Sequence, residues 1–135
     1  MRVALDPSVL VAAHISRAGV CAEMLEDPLL HHELVTSNFI LDEVARKLFE
    51  KFDFPKRDSK AVAGFLRGAS IVIVPAQLPV DVCRVADDIP VLGTAKSSEC
   101  KLLLSVDRDL LDMQQFEGIP IVRPGEYWRR ATEPR

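Results

Sequence analysis

Apolar residues along this chain fall in short dense runs, separated by segments of helical periodicity. Residues 2–6, Arg-Val-Ala-Leu-Asp, predict a short buried strand ending on a carboxylate. Pro7 suits the first turn of a helix, where its missing N–H costs nothing, and residues 8–14 continue that helix. A second helix is expected over 19–28 and a strand around 33–36, Glu-Leu-Val-Thr. Ser37 fits the N-cap of a long helix over 38–52, in which Ile40, Val44 and Leu48 form a stripe at i, i+4 and i+8. Residues 57–67 predict another helix, ended by Gly68, and 70–74, Ser-Ile-Val-Ile-Val, a buried strand. Helices are expected at about 80–86 and 90–98, a buried strand at 101–105, a short helix at 108–115, a last strand at 119–122 and a turn at 124–130. Short, fully apolar strands separated by helices indicate an α/β fold with a parallel sheet covered on both faces. In such sheets ligands bind beyond the carboxyl ends of the strands.

Composition narrows the function classes. The 135 residues fit one domain, and 48% hydrophobic with 27% charged residues is a globular balance. No run approaches the roughly 18 apolar residues of a membrane span, and Asp6 interrupts the start where a signal peptide would need an apolar run. A soluble cytoplasmic protein without a membrane partner is expected. Cys21, Cys83 and Cys100 are an odd set without Cys-x-x-Cys spacing, so reduced thiols are expected rather than disulfides or zinc. A net charge of −3 argues at first against nucleic acid. Four carboxylates committed to a cation would take the remainder to about +1, so acidity does not exclude RNA.

Four acids stand where such chemistry would need them. Asp6 closes the first strand, Glu43 lies beside the apolar stripe of the long helix, and Asp88 precedes the helix opening near Pro90. Asp107 follows Leu102-Leu103-Leu104 closely, with Asp109 two residues on. Each also has a local explanation: Asp6, Asp88 and Asp107 as helix caps, Glu43 as an i,i+4 partner of Lys47, Asp109 as a complement to the helix dipole. Gathered together, such carboxylates repel one another, and a fold tolerates them mainly where a cation neutralises them. Oxygen-only ligands favour Mg²⁺ or Mn²⁺, which can activate water against a phosphodiester.

The ordered motifs add a resemblance. Val3-Ala4-Leu5-Asp6-Pro7-Ser8-Val9-Leu10 resembles the opening of PIN domains, where hydrophobic residues lead into Asp-x-Asn or Asp-x-Ser. Residues 37–48 resemble that family's helix carrying a glutamate, here Glu43. Asp87-Asp88-Ile89-Pro90-Val91-Leu92-Gly93-Thr94-Ala95 resembles the segment bringing the third acid, and Leu102 to Leu111 the strand followed by Asp-x-Asp-Leu-Leu. Ile119-Pro120-Ile121-Val122 and Pro124-Gly125-Glu126-Tyr127 resemble its usual ending, so the likeness spans nearly the whole chain. It implies one PIN domain over 1–135, a Rossmann-like three-layer sandwich with a central parallel sheet of four to five strands. It implies a Mg²⁺- or Mn²⁺-dependent endoribonuclease of single-stranded RNA, the VapC-like toxin of a toxin–antitoxin pair, with an antitoxin protein and a homodimer as partners. Asp6, Glu43, Asp88 and Asp107 carry over as catalytic and metal-site acids, Asp109 as an auxiliary metal-site acid and Ser8 as a support for Asp6. Asp88 is preferred to Asp87 because Pro90 places it at the cap of the next helix; Asp87 is expected to face outward or act through water.

Pro7 replaces the commoner Thr, and Ser105-Val106 the commoner Thr-Gly, which bears on rate more than on metal binding. Ser8 stands where a haloacid-dehalogenase-like phosphatase needs a second Asp. Asp6 alone stands where a receiver domain needs an acidic pair, and no Gly-rich dinucleotide turn follows the first strand. The alternative is a PIN-like module that binds RNA or protein without cutting. Arg46, Lys47, Lys51, Lys56, Arg57 and Lys60 form either a solvated face or a phosphate-binding set, and Phe49, Phe52, Phe54 and Phe65 suggest an associating surface.

Overall fold

The computed structural model describes residues 1–16 and 19–132. Its centre is a sheet ordered β3-β2-β1-β4-β6-β5. The strands are β1 (Arg2–Leu5), β2 (Glu33–Thr36), β3 (Ile71–Val72), β4 (Leu102–Leu104), β5 (Gln115–Phe116) and β6 (Ile119–Val122). All neighbours pair in parallel except β5, which runs antiparallel to β6. Consecutive residues Val3, Ala4 and Leu5 of β1, and Leu102, Leu103 and Leu104 of β4, are all buried. Side chains alternate between faces along a strand, so both faces of the central sheet are covered and the three-layer α/β arrangement follows.

The helices are α1 (Pro7–Ile15), α2 (Val20–His31), α3 (Asn38–Phe52), α4 (Lys56–Ala69), α5 (Ile89–Ser98), α6 (Arg108–Met113) and α7 (Tyr127–Thr132). Single 3-10 turns, Ala86–Asp88 and Pro124–Glu126, lead into α5 and α7. Ser37 caps α3, its hydroxyl accepting the Ile40 N–H, and the Ile40, Val44 and Leu48 stripe is wholly buried. No single helix among the described residues is long and apolar enough to cross a membrane.

Three local expectations need correction. The run 70–74 is not a buried strand: β3 holds only Ile71–Val72 at the sheet edge, Val72 is exposed and Val74 is 85% exposed. One further bond, Ile73 N–H to Thr36 O at 2.8 Å, precedes Pro75, which has no N–H to continue a ladder. No helix forms over 80–86. There the apolar residues alternate rather than follow a helical period, and Val80 is 89% exposed. The chain instead straps across α5, the Ala76 N–H bonding to Gly93 O at 3.0 Å. Gly93 is required at that crossing, because a Cβ there would stand 2.4 Å from Ala76 O. The third correction is β5, which sequence periodicity missed. Glu117 and Gly118 both have positive φ, a two-residue hairpin turn of the primed kind that lets Phe116 pair with Ile119.

Candidate active site

Strands β2 and β3 lie on one side of β1, and β4 and β6 on the other. The carboxyl ends of β1 and β4 therefore flank the point where strand order reverses, the usual binding crevice of an open parallel sheet. Asp6 leaves β1 there, its N–H bonded to Leu104 O at 2.9 Å. Ser105 and Asp107 leave β4 beside it. Glu43 reaches the crevice from the buried face of α3, and Asp88 from the 3-10 turn before α5. The buried Thr94 hydroxyl, 2.9 Å from Ser37 Oγ, ties α5 to the start of α3 and fixes these two carriers relative to each other.

A cavity of about 400 Å³ opens at this point. Asp6, Glu43, Asp88 and Asp107 line it, with Asp87 and Glu50, and α3 adds the cationic Arg46, Lys47 and Lys51. Four acids far apart in sequence thus face one space. Asp109 is not among the lining residues; its carboxylate is paired with Arg84 at 3.9 Å. Lys56, Arg57 and Lys60 do not line the cavity, so the basic set divides between α3 and α4.

Asp6 and Asp88 are nearly inaccessible, and neither carboxylate caps a helix. Asp6 Oδ2 accepts hydrogen bonds from the Ser8 and Ser105 hydroxyls, the latter at 3.1 Å. Ser105 Oγ in turn accepts the Asp107 N–H at 2.9 Å, so one hydroxyl connects two of the acids. Asp107 does cap its helix, accepting the Asp109 N–H at 3.1 Å. Glu43 pairs with Arg46 at 3.3 Å, one turn along α3, and Lys47 also acts on its charge.

The electrostatics record crowding. Burial pushes the Asp6 carboxyl above its ordinary range, the Ser8 and Ser105 hydrogen bonds oppose it, and nearby Asp107 adds to it. Burial likewise raises Glu43, with Lys47 and Arg46 opposing and Asp87 and Asp6 reinforcing. Asp88 is raised to about 7, by burial first and then by Asp107 and Asp6. Without a cation these groups resist being ionised together.

Asp87 adds to the four acids. It is exposed, yet it lines the same cavity as Asp88 and acts on Glu43. Both acids lie on the 3-10 turn over Ala86–Asp88, which borders the cavity. The part played by the Ser105 hydroxyl was also missed; a hydroxyl at a strand end just before Asp-x-Asp was the available signal. Phe54, grouped by sequence with the associating phenylalanines, packs against the core, whereas Phe49, Phe52 and Phe65 are exposed.

No protein-family model matches the sequence, and no curated protein does. Solved structures do match the fold. One is VapBC2 from Rickettsia felis bound to a DNA fragment from its promoter, at TM-score 0.67 and 11% identity over 90% of this chain and 97% of that one. Another is PAE2754 from Pyrobaculum aerophilum, at TM-score 0.65 and 17% identity over 98% of this chain and 91% of that one. The fold is PIN-like. At these identities the likeness establishes architecture; for chemistry, the PIN-like chain has its own cavity.

The donor set suits a hard cation: carboxylate oxygens with hydroxyls behind them, and no thiol or imidazole lining the cavity. Among the described residues no group of three His, Cys, Asp or Glu is arranged to enclose an ion by itself. Mg²⁺ does not require that, since it is usually held by one or two carboxylates plus waters and substrate phosphates.

Proposed function

We propose that this chain is a Mg²⁺- or Mn²⁺-dependent endoribonuclease that hydrolyses phosphodiester bonds of single-stranded RNA. It would act as the cytoplasmic toxin of a type II toxin–antitoxin pair, a single domain over 1–135. The observation that carries the reading is the cavity, where Asp6, Glu43, Asp88 and Asp107 come together from four elements, with Asp87, Glu50 and the cationic Arg46, Lys47 and Lys51 in the same lining. The likeness of fold to the VapBC2 complex supports an antitoxin protein as partner. Exposed Phe49 and Phe65 support association of two copies, which light scattering tests against the 15.0 kDa monomer.

One or two of Asp6, Asp88 and Asp107, completed by waters and substrate phosphate, would hold the cation, with Glu43 on the same cavity and Asp109 assisting through its N–H to Asp107. When bound, Mg²⁺ or Mn²⁺ supplies Lewis acidity for the displacement at phosphorus and offsets repulsion among the carboxylates. Ser8 and Ser105 fix the direction of the Asp6 carboxylate. Lys47 and Lys51 hold phosphates of the strand against the acidic wall, and Arg46 steadies Glu43. Water attacks the phosphorus, the bond from phosphorus to one ribose oxygen breaks, and a proton goes to that leaving oxygen. The products are one phosphate-ended and one hydroxyl-ended fragment.

Labelled single-stranded RNA incubated with Mn²⁺, with chelator, and with Asp6→Asn and Glu43→Gln chains tests this. Cleavage should require the cation, and Asp6→Asn should lower it by several orders of magnitude while the protein stays folded. Undiminished cleavage in chelator refutes the metal mechanism. RNA binding equal in wild type and Glu43→Gln, with no cutting by either, replaces the nuclease with a binding module.

A further inference from the structure

Beside the carboxylate cavity lies a second hollow of about 260 Å³ between α1 and the end of α3. Val11, Ala12 and Ile15 form one wall, and Lys47, Lys51 and Phe52 the other. Ser8, Lys47 and Lys51 line both spaces, so acidic cavity and apolar hollow adjoin at these residues. We propose that this hollow is a nucleobase subsite: one base of the single-stranded RNA, next to the scissile phosphate, lies against the Phe52 ring. The proposal rests on the ribonuclease reading and extends it.

Three observations carry it. First, Phe52 continues the stripe of α3. Ile40, Val44 and Leu48 recur every four residues and are wholly buried, and the next position is Phe52, 43% exposed. Ile15, the last residue of α1, is 42% exposed across the hollow. Two apolar side chains, on helices whose buried stripes form part of the core, are thus held open to solvent on facing walls of the hollow.

Second, the order of chemistry matches a single strand. Carboxylates for a cation come first, then lysines for phosphate, then an apolar wall with an aromatic ring. Single-strand binding sites pair a cationic track for the backbone with aromatic rings for the bases, and every base offers a π-face. Phosphate held at the shared lysines leaves its attached base on the apolar side.

Third, the size suits one ring system. Clefts that bury a drug-sized ligand run to roughly 300–1,000 Å³, and this hollow lies below that range. An amphipathic peptide helix needs a groove holding anchors over about two turns.

The test uses a short RNA that the wild-type chain cuts at one bond, with a single abasic nucleotide moved position by position. In wild type, one position beside the cut should raise KM about tenfold when its base is absent, with kcat little changed. Phe52→Ala should raise KM on the intact RNA by about the same factor and lose sensitivity at that position alone. Phe52→Trp should keep the wild-type KM, and Phe52→Leu, apolar but without a ring, should behave like Phe52→Ala. Thermal melts check that each variant is folded, which the exposure of Phe52 favours. Wild-type KM for Phe52→Ala, or an abasic profile identical to wild type, overturns the subsite and leaves the hollow to a protein partner. A wild-type chain that cuts no RNA removes the ribonuclease reading, and the subsite with it.

Discussion

Replacing Asp88 by Asn should make the cation-free protein more stable while abolishing cleavage. Asp88 is buried beside Asp107 and Asp6, and its carboxyl is raised to about 7 from 3.8. A group raised in this way holds its proton more tightly folded than unfolded. Stability from that proton is full below the unfolded value, near pH 4, and is lost as pH rises to about 7. Roughly three units at about 1.4 kcal/mol each give an upper figure near 4 kcal/mol. The cavity opens to water, so about 2–4 kcal/mol is the expected gain for Asp88→Asn at pH 8. For 135 residues, at roughly 2.1 cal/mol/K each, that is a Tm increase of roughly 7–14 °C. Calorimetry in chelator at pH 8 and pH 5 reads it. The gap should shrink by about half or more at pH 5, where native wild type keeps the proton, and excess Mg²⁺ should narrow it at pH 8 by stabilising wild type alone. An Asp88→Asn chain melting at or below wild type in chelator at pH 8 refutes the reasoning, because Asp88 would then be contributing to the fold as an ionised group.

Ser105→Ala removes a hydrogen bond from Asp6 and the acceptor of the Asp107 N–H; cation affinity, measured by titration calorimetry, should fall about 10–100-fold. Gly93→Ala drives a methyl group into Ala76 O and should cost about 1–3 kcal/mol, read as a Tm decrease of several degrees; an unchanged Tm means the strap yields freely. A double Lys47, Lys51→Ala change should lower the steepness of log affinity for single-stranded RNA against log salt by about 1.4, from two lost phosphate contacts, whereas Lys56, Arg57→Ala should leave the slope unchanged.

Those contrasts show which parts of the molecule were legible in its residues. The apolar runs of β1 and β4 identify themselves because strands buried on both faces tolerate no polar residue. Ser37 and the Ile40, Val44, Leu48 stripe place α3 correctly because cap and periodicity agree. The failures lie where tertiary contacts outweigh local pattern. Ser-Ile-Val-Ile-Val has strong strand chemistry, but position at the sheet edge and Pro75 cut the pairing short. Residues 80–86 follow the course of the strap held at Gly93 rather than any helical preference. At the site, sequence order picked out four acids that line one cavity, but not that Asp87 would border it beside Asp88.

The same geometry explains how the fold holds a cavity that its own charges oppose. Asp6 receives two hydroxyl hydrogen bonds, Glu43 an arginine, and Asp107 the N–H groups of its helix start, so three of the four acids have local partners. Asp88 has no cap bond and no cationic partner that lowers it, and it carries the largest upward displacement among the site carboxyls. Repulsion is therefore greatest at Asp88, the residue whose ionisation a bound cation would favour most. That residue sits on the turn leading into α5, so relief of its repulsion on cation binding would tighten the turn that also carries Asp87. Cation loading and order in the 86–88 turn would then rise together, which ties the chemistry of the cavity to a segment next to one whose path sequence pattern did not predict.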